Sequence, residues 1–469
     1  MATEGEKLHI VFFPWLAVGH LNGFFELAKL IAHKGHTITF ISTPKNILRL
    51  PKIPPPLAPH FNLLELPLPK VENLPEGAEN TTDVPDHLQP YLKKACDLLE
   101  EPLANFLETS DADWIVHDFN SYWLGPMGKK LGVKTSFFAT FNAASMAFFG
   151  PPAEMTGVNS TRKSFQEFFV PPPWIPFPTT VAFRMQDVNR IMEGHKANDS
   201  GVSDGFRSGK SIEDCDVFTV RSCYEFEGEY LKVLEELYRK PVIPVGELAK
   251  TVEEEDGEDD TWRGIKEWLE KQEKGKVVYI AFGTEAKLSQ KQVTEIALGL
   301  EKSELPFFWV LRTHTGFADS ECLTLPEGFE ERTKERGMVW SSWAPQPKIL
   351  AHESVGGFWT HGGLNSIVEG IQNGKPLLVL SFQLDQGLNA RLLEDKKVGY
   401  SIRREDDGSF TSEDVTTSLK LVMVEEEGKV YREKVKEVKD AFANRELQDG
   451  YVNKLLGYFL EHRNPKHVA

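Results

Sequence analysis

A chain of 469 residues exceeds what one ordinary hydrophobic core serves, so two domains of roughly 200 residues are expected. Hydrophobic residues make up 41% and aromatics 11%, which excludes a disordered chain; a net charge of −17 excludes nucleic acid or an anionic membrane as main partner, because both would repel it. Cys96, Cys215, Cys223 and Cys322 are too widely spaced for a disulfide framework, and no apolar run approaches the ~20 residues of a spanning helix, so a cytoplasmic monomer is expected.

Leu8–Phe13, LHIVFF, reads as a buried strand and not a signal-peptide core, because Glu4 and Glu6 precede it and Pro14 interrupts the apolar run. A glycine turn at Gly19 leads into a helix from His20, with Leu21, Phe24, Phe25, Ala28 and Ile31 near helical spacing. HTITFIS is a second strand after the Gly35 stop; DWIVHDF and KTSFFA are further strands, flanked by helical segments such as Tyr91–Glu108. Strand and helix in alternation imply parallel pairing with right-handed crossovers.

Glu253–Asp260, EEEDGEDD, cannot bury itself and is expected to be a solvated linker. Beyond it the alternation resumes with KVVYIAFG, QKQVTEIALGLEKS, PFFWVLR, GMVWSSW, VGGFWTHG, NSIVEGIQNG and KPLLVLSF. The expected organisation is a Rossmann-like domain over 1–245, the acidic linker over 246–262, a second Rossmann-like domain over 263–445, and a C-terminal helix over 446–469 that packs back on the first domain. Two doubly wound sheets facing across a cleft bind ligands at the carboxyl ends of their strands.

Those strand ends carry the chemistry in the second half. Gly362 and Gly363 let an anion approach the backbone, and a helix opening at Asn365 and Ser366 offers unpaired N–H groups and a positive dipole end. Glu369, one turn inside that helix, is costly beside a phosphate and suits neutral hydroxyls such as those of a ribose. Trp343 offers a flat face for a base, Ala344–Gln346 can meet its edge, and Asp385 and Gln386 suit sugar hydroxyls. Together they match a nucleotide diphosphate sugar.

The order W-A-P-Q-x(14)-H-x-G-x-N-S-x-x-E-x(15)-D-Q, from Trp343 to Gln386, resembles the donor-binding box of plant family 1 UDP-glycosyltransferases. PWLAVGH at Pro14–His20 and the chain length are similar too. STPKNILRLP, LPEGAENTTDVP and RLLEDKKVG resemble the branch that extends existing glycosides, adding sugar to sugar. The resemblance implies a GT-B fold and a UDP-sugar donor, with Trp343 on uracil, Gln346 near base and ribose, and Glu369 on the ribose. It implies diphosphate contacts from His361, Asn365, Ser366 and Thr284, and sugar contacts from Asp385 and Gln386. Two positions depart from the family. Gly362-Gly363-Leu364 stands where the family has Cys-Gly-Trp, and Ser381 replaces the proline that opens the stretch before Asp-Gln. The lost tryptophan belongs to donor-sugar recognition and makes UDP-rhamnose the alternative donor, while Asp385 and Gln386, the pair the family uses for glucose hydroxyls, keep UDP-glucose favoured.

Attack by a neutral hydroxyl on an anomeric carbon needs a base. His20, near the end of the first strand, suits that work, and Asp118, ending WIVHD, is the carboxylate that would orient it; the family has its catalytic aspartate at this place. His117 points to the opposite face by strand alternation. No Asp/His cluster has metal-ligand spacing, so neither metal nor cofactor is expected. Phe141–Pro152 and Pro171–Pro178 are apolar loops that either line a pocket for a terpenoid or flavonoid glycoside or belong to the core. Gly19-His-Leu-Asn-Gly23 lacks the dinucleotide fingerprint of an oxidoreductase. The reading from another class is a catalytically silent nucleotide-sugar-binding protein.

Overall fold

Short β-branched and aromatic runs form the spine of both halves. The structure, a computed structural model, describes residues 7–465 apart from 159, 163, 195, 250–259, 284–285 and 312–322. In the first half β1 (His9–Phe13), β2 (Thr37–Ser42), β3 (Phe61–Glu65), β4 (Trp114–His117), β5 (Lys134–Ala139), β6 (Val217–Val220) and β7 (Val242–Pro244) form a sheet of order β3-β2-β1-β4-β5-β6-β7. In the second, β8 (Val277–Ala281), β9 (Phe307–Val310), β10 (Gly337–Trp340), β11 (Val355–Thr360), β12 (Leu377–Val379) and β13 (Gly399–Ser401) take the order β10-β9-β8-β11-β12-β13. All pairings are parallel. Helices cover both faces of such sheets, which is why β8 is buried along its whole length and shows no polar alternation.

Strand order reverses between β1 and β4 in one sheet and between β8 and β11 in the other. At each reversal the crossovers leave in opposite directions and open a crevice at the carboxyl ends. Residues 14–20 and 118–120 border the first crevice; residues 282–283 and 361–366 border the second.

The helix after β1 spans Val18–His33 and buries Leu21, Phe24, Phe25, Ala28 and Ile31. Gly19 lies inside its first turn and not in a preceding glycine turn. The chain reverses earlier, where the Ala17 N–H donates to the Trp15 carbonyl at 2.8 Å. The helix after β11 begins at Leu364, one residue before Asn365. The acidic run lies outside the described residues except Asp260, which opens the helix Asp260–Leu269. Cys96, Cys215 and Cys223 are buried free thiols, and Cys322 lies outside the described residues. Among the described residues no helix is long and apolar enough to cross a membrane.

The helix Arg445–His462 returns to the first sheet. There the Phe459 ring stacks on Trp114 with centroids 4.2 Å apart, and the Trp114 indole N–H donates to the Phe459 carbonyl at 3.0 Å. The segments Ser42–Pro51 and Leu74–Pro85 pack on one another. Asn80 Nδ2 donates to Asn46 Oδ1 at 2.9 Å, and the Thr81 N–H donates to the Leu16 carbonyl at 3.0 Å, which braces the loop before His20.

A polar clamp joins the two halves. Asp187, on the helix Met185–Gly194, accepts from Ser381 Oγ at 2.8 Å and pairs with Arg404 at 3.2 Å. Arg404 also donates to Ser381 Oγ at 2.6 Å and to the Ser381 carbonyl at 2.8 Å. Both charged side chains are less than a tenth exposed. Removing one member strands the other in a poorly hydrated place, so Asp187→Ala should cost about 3 kcal/mol in urea unfolding. The double change Asp187→Leu with Arg404→Met should recover most of that; a loss within about 0.5 kcal/mol for Asp187→Ala would show the clamp to be solvated.

Candidate active site

His20 and Asp118 meet where β1 and β4 end. The His20 Nδ1 lies 2.8 Å from Asp118 Oδ2, and the carboxylate is 2% exposed. The same oxygen accepts from the Trp15 N–H at 2.7 Å, and Oδ1 accepts from the Asn120 N–H at 3.3 Å. A carboxylate so held only accepts, so His20 carries its hydrogen on Nδ1 and keeps the Nε2 lone pair free for a proton. The Phe119 ring lies 5.7 Å from the imidazole and shields one face. His117 is fully buried, bonds through Nδ1 to the Asp118 carbonyl at 3.1 Å, and is pushed down to about 4 by that burial. It takes no part in the crevice.

Across the cleft, Trp343 is 61% exposed, an uncommon state for so large an apolar surface outside a binding site. Ala344 beneath it is buried. The Gln346 amide donates to Glu369 Oε2 at 2.6 Å and to Ser366 Oγ at 3.3 Å, and its carbonyl accepts from the Tyr279 hydroxyl at 3.2 Å. Gln346, Ser366 and Glu369 therefore form one fixed polar group at the start of the Leu364–Gln372 helix. Leu364 is half-buried against the core.

The two glycines of the box serve its imidazole and its turn. A Cβ on Gly363 would stand 2.4 Å from His361 Nε2, and one on Gly283 would stand 2.9 Å from His361 Cε1. Gly362 has φ +85° and a Cβ there would meet Val379 at 2.8 Å. Packed in this way, the His361 imidazole loses hydration and is pushed down to about 4, so it is neutral at neutral pH. Thr284 lies outside the described residues.

Asp385 caps the helix Gln386–Asp395, and its preceding residue Leu384 is held at φ +52°. Gln386 Oε1 accepts from the Phe382 and Gln383 N–H groups at 2.8 and 3.1 Å, which leaves its NH2 as the outward donor. Asn389, fully buried, donates to Asp385 Oδ2 at 2.8 Å and to the Gly362 carbonyl at 2.9 Å. Its carbonyl accepts from Asn142 Nδ2 at 2.8 Å and Ser145 Oγ at 3.2 Å, both on the first domain. Neither Asn389 nor Asn142 was singled out from the sequence; a buried Asn one turn after Asp385 on the same helix face was the available signal. The segment Phe141–Pro152 is mostly core and domain contact, with Ala143 to Phe148 buried, and Trp174 of the second apolar loop donates to the Ala147 carbonyl at 2.8 Å. Among the described residues no three His, Cys, Asp or Glu side chains are grouped to hold a metal ion.

Comparison with known proteins gives the family and the fold. Residues 234–447 match the family UDP-glucoronosyl and UDP-glucosyl transferase, and residues 6–119 match Glycosyltransferase, N-terminal domain. The chain is 50% identical to UDP-glycosyltransferase 91A1 of Arabidopsis thaliana, covering 98% of each chain. It is 44% identical to UDP-glycosyltransferase 91D2 of Stevia rebaudiana, covering 100% of this chain and 98% of that one. It is 43% identical to soyasaponin III rhamnosyltransferase of Glycine max, over 99% of this chain and 98% of that one. The fold is that of the crystal structure of Glycyrrhiza uralensis UGT73P12 complexed with glycyrrhetinic acid 3-O-monoglucuronide, with a TM-score of 0.79 at 24% identity over 97% of this chain and 96% of that one. The chain belongs to the plant family 1 UDP-glycosyltransferases, in their 91 group, and is a UDP-sugar-dependent enzyme of the GT-B fold.

Asp385 gives this site a measurable signature. Burial pushes its carboxyl up from 3.8 to about 6, against the smaller opposing pulls of Asn389, its own backbone and His20. A raised folded value means the native state holds the proton more tightly, so the contribution to stability is full below 3.8 and lost as pH rises through about 6. Asp385→Asn should therefore gain about 2 kcal/mol relative to the parent between pH 4 and pH 7 in paired urea titrations. A pH-independent difference would place this carboxylate in water.

Proposed function

We propose that this enzyme transfers glucose from UDP-glucose, with inversion, to a sugar hydroxyl of a small-molecule glycoside of terpenoid or flavonoid type. The observation that carries the reading is the His20–Asp118 pair at one strand-order reversal, with the Gln346, Ser366 and Glu369 group at the strand ends of the other sheet. His20 Nε2 takes the acceptor proton as the oxygen attacks the anomeric carbon, and Asp118 stabilises the imidazolium that forms. Trp343 stacks on uracil, with Ala344 and Gln346 at its edge, and Glu369 receives the ribose hydroxyls. The helix N-terminus at Gly363, with Asn365, Ser366, His361 and Thr284, receives the diphosphate, whose growing charge the helix dipole offsets. Asp385 accepts from the sugar hydroxyls and Gln386 donates to them.

A neutral His361 donates a hydrogen bond to the phosphate and adds no charge, so the helix end and its side-chain donors supply the stabilisation. UDP-rhamnose is the second reading. Leu364 offers apolar contact in place of an indole N–H, which tolerates a 6-deoxy sugar, and two relatives carry the name rhamnosyltransferase. Asp385 and Gln386 keep several polar contacts for glucose, which is why glucose leads.

His20→Ala should lower turnover about 10³-fold while UDP affinity by calorimetry stays unchanged, because only proton abstraction is removed. Turnover near the parent's would refute the base. Equal UDP-glucose and UDP-rhamnose offered together, with a panel of glycosides, should give a β-linked glucosyl product as the main species by mass and NMR. A predominantly rhamnosyl product would reverse the donor assignment, and an α-linked glucoside would refute inversion.

A further inference from the structure

Arg221 follows β6 in the first domain, yet its side chain ends in the donor half. It is 5% exposed; Nε donates to the Glu247 carbonyl at 2.8 Å, and Nη1 donates to the Asn365 side-chain carbonyl. Asn365 stands in the first turn of the Leu364–Gln372 helix. A guanidinium has donors only, so the amide must turn its oxygen toward Arg221. Its NH2 is then forced onto the opposite limb. Flipping the amide would set N–H against N–H, at the cost of the charge-assisted bond. Burial holds the Arg221 guanidinium below its usual range, and the carboxylates of Glu247, Glu369 and Glu26 offset that burial only in part.

We propose that Arg221 is a positioning residue for the leaving diphosphate: it locks the Asn365 amide so that its NH2 is presented to the phosphate oxygens. This rests on the reading of Asn365 as a diphosphate ligand. Its consequence is that the donor site is complete only when the two domains are apposed, because the residue that orients its amide belongs to the acceptor domain. A donor bound to an open enzyme meets a free amide; apposition fixes it.

Calorimetric titration of UDP and of uridine into the parent, Asn365→Ala, Arg221→Gln and the double variant tests this. Uridine shares the base and ribose contacts and lacks the diphosphate, so it reports folding of the pocket. Arg221→Gln should weaken UDP about tenfold, which is about 1.4 kcal/mol, and leave uridine within about twofold. In the Asn365→Ala background the same change should cost UDP nothing further. Arg221→Lys keeps a buried cation without the planar fork and guards against a folding defect; it should weaken UDP about threefold with uridine unchanged. Equal losses for UDP and uridine, or a full loss that persists without Asn365, would overturn the proposal. Unchanged UDP affinity in Arg221→Gln beside a clear loss in Asn365→Ala would overturn it alone. Unchanged UDP affinity in Asn365→Ala would overturn the diphosphate reading beneath it as well.

Discussion

The side-chain amide of Asn389 is the interaction through which the two halves share a site. An amide can make four hydrogen bonds, two given and two taken, and here all four are made without exposure to water. The two it gives hold the Gly362 carbonyl and the Asp385 carboxylate, which are parts of the donor half. The two it takes come from Asn142 and Ser145 at the start of the Ala143–Phe149 helix of the acceptor half. Shifting one domain by an ångström would leave buried donors unpaired, each at a cost of about 1–3 kcal/mol. Hydrogen-bond satisfaction at Asn389 therefore adds directional restraint to the apolar contact that joins the two halves.

That fixed relation explains why the acids near the cleft are treated so differently. Asp118 accepts from the Trp15 and Asn120 N–H groups and faces His20 Nδ1 at 2.8 Å. Asp385 has one side-chain donor and is pushed up to about 6 by burial. Glu227, deeper in the domain contact, is pushed up to about 8 by burial although it accepts from Ser222 Oγ and the Ala144 N–H. Burial sets the direction at both raised groups, and the neighbouring Glu247 carboxylate adds to the rise at Glu227.

The parallel double-wound fold was legible because its central strands are buried on both faces and read as unbroken apolar runs. Three of the strands that escaped notice lack that mark. β3 is an edge strand with mostly exposed side chains, and β7 and β13 are three residues long. β6, VFTV, is fully buried and carried the signal, but it stands between segments with no clear helical period. His20 with Asp118, and the box from Trp343 to Gln386, were readable because strand ends deliver them. Asn142, Asn389 and Arg221 were not, because their meaning depends on a partner 144 to 247 residues away in sequence. A polar residue buried by a domain interface looks, in sequence, like any polar residue on a helix or turn.

The departures from the family box acquire partners in three dimensions. A proline at position 381 would have no hydroxyl, whereas Ser381 Oγ gives one hydrogen bond to Asp187 and takes one from Arg404. The clamp so formed sits a few residues before Asp385, at the entry to a turn where Leu384 holds a φ of +52° that a leucine rarely adopts. Backbone strain of about 1–3 kcal/mol persists only where the surroundings over-determine it. Here the clamp fixes one end of the turn and Asn389 fixes the other. Leu364 fits the same logic, since it packs into the domain contact and an indole there would need a partner for its N–H. The serine and the leucine thus place polar and apolar contact at the seam between the two domains.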